Sequence, residues 1–269
     1  MPTPAPPPSR ALHADTFGHG PRLVMAHGFT QTGRVWGSMD RDLARDHEVV
    51  LVDMPGHASS SAVTAGLVDG SLLLGQTGGR AAYLGYSMGA RFCLHLALAR
   101  PALVDALVLI SGTAGIDEAG ARRTRRRADE GLADELDPTD GNRSTATPVD
   151  TFLRRWLATP LLAGIDPEAG GLDERLRNTG PGLASSLRLA GAGTQQPLWG
   201  RLGQLTMPVL VITGEDDDKF TALGRRLAAG IGPNAAHATV AGTGHAPHLQ
   251  RPHEVAGLVR RHLAGTTLS

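Results

Sequence analysis

The sequence predicts an α/β fold: a mostly parallel central sheet flanked by helices, with a helical insertion. Three observations predict it. Short apolar runs without polar alternation recur along the chain, the pattern of strands buried on both faces. Segments of helical character separate them, the order that builds a parallel sheet. Between residues 115 and 200 the alternation stops and only helical patterns remain.

Residues 1–10 are proline-rich and lack both the basic and the apolar stretch of a signal peptide, so a disordered tail is expected there. Arg22-Leu23-Val24-Met25-Ala26 is the first strand and runs straight into His27-Gly28-Phe29. Residues 36–45 carry the spacing of an amphipathic helix. Glu48-Val49-Val50-Leu51-Val52-Asp53 is a second buried strand, closed by Met54-Pro55-Gly56-His57. A Ser-rich loop over 58–64 precedes a glycine-rich helix over 65–76. Ala81-Ala82-Tyr83-Leu84 is a short strand, residues 91–100 a helix that Pro101 ends, and Ala106-Leu107-Val108-Leu109-Ile110-Ser111 the next strand. Helices follow over 122–136, 148–157, 172–178 and 183–190. Strands resume at Val209-Leu210-Val211-Ile212-Thr213 and His237-Ala238-Thr239-Val240, and residues 252–263 form the closing helix. The core therefore divides into 11–114 and 201–269 around an insertion at 115–200.

Composition narrows the function. The 269 residues are 41% hydrophobic with a formal net charge of +0, which argues against nucleic acid or an anionic membrane as main partner. A single cysteine, Cys93, excludes an intrachain disulfide and a multi-cysteine metal site. No apolar run approaches transmembrane length. A cytoplasmic, cofactor-free and metal-free protein is expected, monomeric or a weak homo-oligomer. Every basic residue is arginine except Lys219, so a given arginine says little about function and the lysine says more.

The chemistry centres on Gly85-Tyr86-Ser87-Met88-Gly89, which fits the G-x-S-x-G nucleophile elbow between a strand and a helix. Side chains at either glycine would collide with neighbouring backbone while the serine holds a strained conformation. A serine hydroxyl needs a histidine to take its proton and a carboxylate to orient that histidine. Gly242-Thr243-Gly244-His245 follows the last strand and offers His245, with His248 as competitor. Glu215-Asp216-Asp217-Asp218 follows the strand ending at Thr213, and three aspartates there qualify as the acid. Phe29 and Met88 stand where two backbone N–H groups could face a developing oxyanion. Arg91, one turn beyond Ser87, should lie near the serine's mouth. On composition, the arginines from 122 to 127 fit a solvated helix face better than a binding site.

These residues resemble the α/β-hydrolase superfamily throughout the core. Within it, His27-Gly28-Phe29-Thr30, Asp53-Met54-Pro55-Gly56-His57, Gly85-Tyr86-Ser87-Met88-Gly89-Ala90-Arg91, Asp217-Asp218-Lys219-Phe220 and Gly244-His245-Ala246-Pro247-His248 resemble the menaquinone-pathway family of 2-succinyl-6-hydroxy-2,4-cyclohexadiene-1-carboxylate synthases. In the insertion, Gly115-Ile116, Trp156, Leu176-Arg177-Asn178, Gly182 to Arg188 and Gly193 to Trp199 are similar too. The resemblance implies Asp217 as the acid, because the Asp-x-Lys-Phe element selects it. It also implies Arg125, Arg177 and Trp156 as substrate-binding residues of a helical cap. Ala58 and Ala90 stand where that family usually has glycine.

The implied reaction is an elimination. The substrate, 2-succinyl-5-enolpyruvyl-6-hydroxy-3-cyclohexene-1-carboxylate, loses pyruvate, with Ser87 activated by His245 and Asp217 to remove a ring proton. Its three carboxylates require a cationic pocket, for which guanidinium forks are suited. Arg91, Arg125 and Arg177 are the expected cations, with Tyr86 and Trp156 supplying a hydroxyl and an indole N–H. The alternative is a cofactor-free serine hydrolase, cleaving an ester or a carbon–carbon bond on the same scaffold.

Overall fold

The computed structural model describes residues 11–139, 142–162, 164–166 and 168–265. The expected tail, residues 1–10, lies outside them. In chain order the first part holds β1 (Ala14–Gly18), β2 (Arg22–Ala26), α1 (Met39–Leu43), β3 (Glu48–Val52), α2 (Leu67–Gly78), β4 (Ala81–Tyr86), α3 (Met88–Ala99) and β5 (Val104–Ile110). Four helices come next: α4 (Ala119–Leu136), α5 (Val149–Leu157), α6 (Leu172–Arg175) and α7 (Gly180–Ala190). The chain closes with β6 (Val209–Gly214), α8 (Asp218–Ile231), β7 (Ala235–Val240), α9 (Pro247–Gln250) and α10 (Pro252–Ala264).

The seven strands form one sheet in the order β1-β3-β2-β4-β5-β6-β7. Every pair is parallel except β1 with β3. Alternation along each strand decides which helices cover which face. Val24, Val50, Tyr83, Leu107 and Val209 pack with Leu74 of α2, Phe92 and Leu96 of α3, and Leu227 of α8. Their neighbours Leu23, Val49, Leu84, Val108 and Leu210 pack with Met39 and Leu43 of α1 and with Val255 and Val259 of α10.

The structure adds β1, which the sequence patterns did not indicate. Ala-Asp-Thr-Phe-Gly is short and half polar, and it survives as a strand because it is an edge, paired only with β3 from Ala14↔Val52 to Gly18↔Glu48. It adds α8 and α9 as well, and it shortens the helices expected over 36–45 and 172–178 to α1 and the single turn of α6. The glycine-rich helix is present as α2, and its composition has a packing cause. A Cβ on Gly70 would come 2.5 Å from the Phe92 ring, and one on Gly75 would come 2.7 Å from Leu96. These glycines let α2 lie close against α3.

Between β5 and β6 the described residues contain helices and no strand. Ala133, Leu136, Phe152, Leu153, Leu183, Ala184 and Leu187 give this segment a small core of its own, with Phe29 of the main body packed against it.

Candidate active site

Parallel sheets carry their sites at the carboxyl ends of their strands. Ser87 follows β4 directly, with φ 49° and ψ −101°. Few non-glycine residues hold such a backbone, and it persists only where the surroundings impose it. Here they do. The Ser87 N–H donates to the Ile110 carbonyl at 2.9 Å, and α3 begins at the next residue. A Cβ on Gly85 would stand 2.5 Å from the Ala90 nitrogen, and one on Gly89 would stand 1.9 Å from the Ala26 oxygen.

His245 and Asp217 converge on this serine from the loops after β7 and β6. Ser87 Oγ lies 3.1 Å from His245 Nε2, and His245 Nδ1 lies 2.8 Å from Asp217 Oδ2. The other carboxylate oxygen, Asp217 Oδ1, accepts the Phe220 N–H at 3.1 Å and so caps α8. Burial alone would raise the Asp217 pKa. The hydrogen bonds from His245 and Phe220, with the nearby Lys219 charge, outweigh it and hold the carboxyl below the usual range. His248 does not compete. It is fully buried between Trp36, at 5.3 Å, and Tyr86, at 4.3 Å, and burial pushes its pKa down to about 3.

The loop after β2 is braced from below and from above. His27 Nε2 accepts the Met54 N–H at 3.0 Å while Nδ1 stands 2.8 Å from the Gly28 carbonyl, which assigns the proton to Nδ1. His57 repeats the pattern: Nε2 accepts the Thr30 N–H at 3.3 Å and Nδ1 faces the Pro55 carbonyl at 3.0 Å. Burial pushes these histidines down to about 4 and about 3, so both are neutral at pH 7. Thr30 has φ 67°, unusual for a β-branched residue. Its hydroxyl accepts from Arg175 Nη1, and its carbonyl accepts from Asn178 Nδ2 at 2.8 Å. Asn178 also accepts the Ala58 N–H at 2.9 Å. Ala58 holds φ 40°, a backbone that glycine adopts more readily than alanine.

A cavity of about 130 Å³ opens above Ser87. Phe29, Met88, Arg91, Arg125, Trp156 and His245 line it, with Asp129, Lys219 and Phe220. Arg91 is buried, and its Nη1 donates to the Ala190 carbonyl at 2.8 Å and the Gly191 carbonyl at 3.4 Å. Burial lowers its pKa to about 10, which leaves it a cation at neutral pH. Arg125 Nε donates to Asp129 Oδ1 at 2.8 Å, and Asp129 Oδ2 accepts the Gly193 N–H at 3.1 Å. The Trp156 ring meets Phe29 edge-on at 5.2 Å and stacks parallel to Phe152 at 6.2 Å. A smaller recess beside the cavity joins Ser87, His245, Tyr86 and Trp156 to Arg175. Burial raises the Tyr86 hydroxyl above its ordinary pKa, so it stays protonated.

The structure does not bring Arg177 to the cavity. Arg177 is exposed, pairs with Glu174 at 3.0 Å, and lines neither the cavity nor the recess. Arg175, two residues earlier, lines the recess instead. It is buried, with Nε donating to the Gly170 carbonyl at 2.6 Å, and burial lowers its pKa to about 10. Of the two arginines in Arg175-Leu176-Arg177, only Arg175 faces the recess. Spacing could not separate them, because Arg175 is defined by contact with Thr30, 145 residues away. Among the described residues no group of three or more His, Cys, Asp or Glu is arranged to hold a metal ion. No described helix is long and apolar enough to cross a membrane.

Residues 21–252 match the alpha/beta hydrolase fold family. A Bacillus subtilis (strain 168) protein provisionally named 2-succinyl-6-hydroxy-2,4-cyclohexadiene-1-carboxylate synthase is 32% identical over 244 residues, covering 86% of this chain and 85% of that protein. A pimeloyl-[acyl-carrier protein] methyl ester esterase of Xanthomonas campestris pv. campestris (strain B100) is 32% identical over 259 residues, covering 94% of this chain and 99% of the esterase. The structure of MenH from S. aureus aligns with a TM-score of 0.84 at 26% identity, covering 95% of this chain and 99% of that one.

Proposed function

The chain belongs to the alpha/beta hydrolase fold family, and from that premise we propose that it is a pyruvate-eliminating lyase of menaquinone biosynthesis. It converts 2-succinyl-5-enolpyruvyl-6-hydroxy-3-cyclohexene-1-carboxylate to 2-succinyl-6-hydroxy-2,4-cyclohexadiene-1-carboxylate. One observation carries the reading. A hydrogen-bonded Ser87–His245–Asp217 chain stands at the floor of a cavity that holds Arg91 and Arg125, with Arg175 in the adjoining recess. A tricarboxylate needs such cations, and a neutral ester does not.

In this reading Ser87 Oγ takes the ring proton while its own proton passes to His245 Nε2, and Asp217 stabilises the imidazolium. The carbon–oxygen bond to the enolpyruvyl group breaks. Its electron pair leaves on oxygen, and the proton on His245 returns to the departing pyruvate. The backbone N–H groups of Phe29 and Met88 hold the negative charge that develops on the succinyl carbonyl. Arg91, Arg125 and Arg175 bind carboxylates, and Tyr86 and Trp156 shape the pocket around the ring. No cofactor or metal enters the reaction. The location that suits this reaction is the cytoplasm.

The 32% identity to the methyl ester esterase favours a second reading, with Ser87 attacking an ester carbonyl. One experiment separates the two. The enzyme is supplied with the enolpyruvyl substrate while pyruvate release and diene absorbance are followed. Turnover by elimination is expected. Its absence, with rapid hydrolysis of aryl or methyl esters, would establish the esterase.

A further inference from the structure

We propose that Lys219 is a substrate-binding residue whose ammonium holds one carboxylate of the substrate at the mouth of the cavity. The inference rests on the tricarboxylate substrate assigned above and adds a cation outside the arginine set. Three observations support it. Lys219 is the only lysine among 26 Lys and Arg residues, so the chain uses a different cation at this one position. It lines the same cavity as Ser87, Arg91, Arg125 and His245, although it is itself exposed. Among the described residues it forms no ion pair, even though Glu215, Asp216 and Asp218 are close in sequence. Its ammonium lies 5.7 Å from the centroid of the Phe220 ring instead.

The contrast with Arg125, which is ion-paired, gives this unpaired ammonium its meaning. Arg125 reaches the cavity already paired with the buried Asp129, so part of its charge is answered before any ligand arrives. The Asp217 carboxylate beside Lys219 is taken up by His245 and the Phe220 N–H. An ammonium that influences Asp217 only at a distance and forms no ion pair gains most from an incoming carboxylate. Its position is close to the chemistry, because the Phe220 ring beneath it packs against His245 at 4.3 Å. Lysine suits a mouth better than a buried wall: a compact ammonium with three rotatable donors on a flexible stem can follow a ligand inward.

The test separates this assignment from the reaction class. In a Ser87→Ala background, calorimetric titration with the enolpyruvyl substrate reads binding without turnover. Lys219→Met keeps the stem and removes the charge, and is expected to weaken binding about tenfold. Lys219→Arg restores the charge and is expected to bind within about threefold of the parent. A Met variant within twofold of the parent overturns the assignment, as does an Arg variant as weak as the Met variant. Missing pyruvate release by the unmodified enzyme, with the tenfold effect intact, defeats the lyase reading and leaves Lys219 as a carboxylate contact. No binding to the parent overturns both.

Discussion

The floor and the roof of the cavity are held by different kinds of contact. On the floor, Ser87, Gly85 and Gly89 are fixed by backbone meeting backbone, and Asp217 doubles as the cap of α8. Between floor and roof, cations are held by side-chain ties across long stretches of chain. Arg91 reaches carbonyls 99 and 100 residues away, and Arg175 reaches Thr30, 145 residues away. On the proposed function, local sterics set the reactivity and long-range side-chain contacts set what is bound. Changes to the floor should abolish function, whereas changes to the roof should grade it.

The largest expected effect lies on the floor. Ser87→Ala should lower the rate of pyruvate release by about 10⁴-fold or more while the protein stays folded. Near-normal turnover would remove Ser87 from the mechanism. Gly89→Ala should act on folding instead. Its Cβ would stand 1.9 Å from backbone oxygen, so a loss of more than about 4 kcal/mol in urea unfolding is expected. Normal stability there would mean that α3 can shift away from β2.

Among the cations that tie floor to roof, Arg91→Ala and Arg175→Ala should each cost roughly 2–5 kcal/mol in kcat/KM, because on the proposed function each leaves a desolvated carboxylate without its partner. Equal rates at low substrate concentration would return both to a packing role. Acid sharpens the contrast in another way. His27, His57 and His248 are buried and neutral in the body, and residues 115–200 contain no histidine. Their folded pKa values, about 4, 3 and 3, lie below the unfolded value of 6.5. The unfolded chain therefore binds protons first as pH falls. Stability is full above pH 6.5 and declines below it until the folded groups also titrate, by up to about 1.4 kcal/mol per pH unit for each histidine. Denaturant midpoints from pH 7.5 to 5 measure this, and a flat profile would contradict it. The smallest effect belongs to Arg177→Ala. The exposed pair with Glu174 is worth about 0.5 kcal/mol at most, and substrate kinetics should not change.

The same division explains what could be read from the sequence. The order of strands and helices was legible because buried parallel strands are apolar on both faces. The elbow was legible because only glycine fits at two positions. His245 stood apart from His248 once its glycine turn was considered. Choosing Asp217 among three adjacent aspartates needed the Asp-x-Lys-Phe resemblance, since spacing alone leaves them equivalent, and it is Asp217 whose carboxylate lies beside His245. β1 escaped because an edge strand has no need of apolar character on both faces. Arg175 escaped because its role depends on Thr30 and Gly170 rather than on its neighbours.

Thr30 carries a further consequence. Its left-handed backbone sits in the loop that bears Phe29, and two of its restraints, Arg175 and Asn178, belong to the inserted segment. The segment is therefore a template for the loop beneath it as well as a cover. A roof grafted from a relative with another substrate would have to bring an equivalent arginine and asparagine with it. Without them the recipient would inherit a new pocket over a loop free to relax, and substrate range could not be exchanged independently of rate.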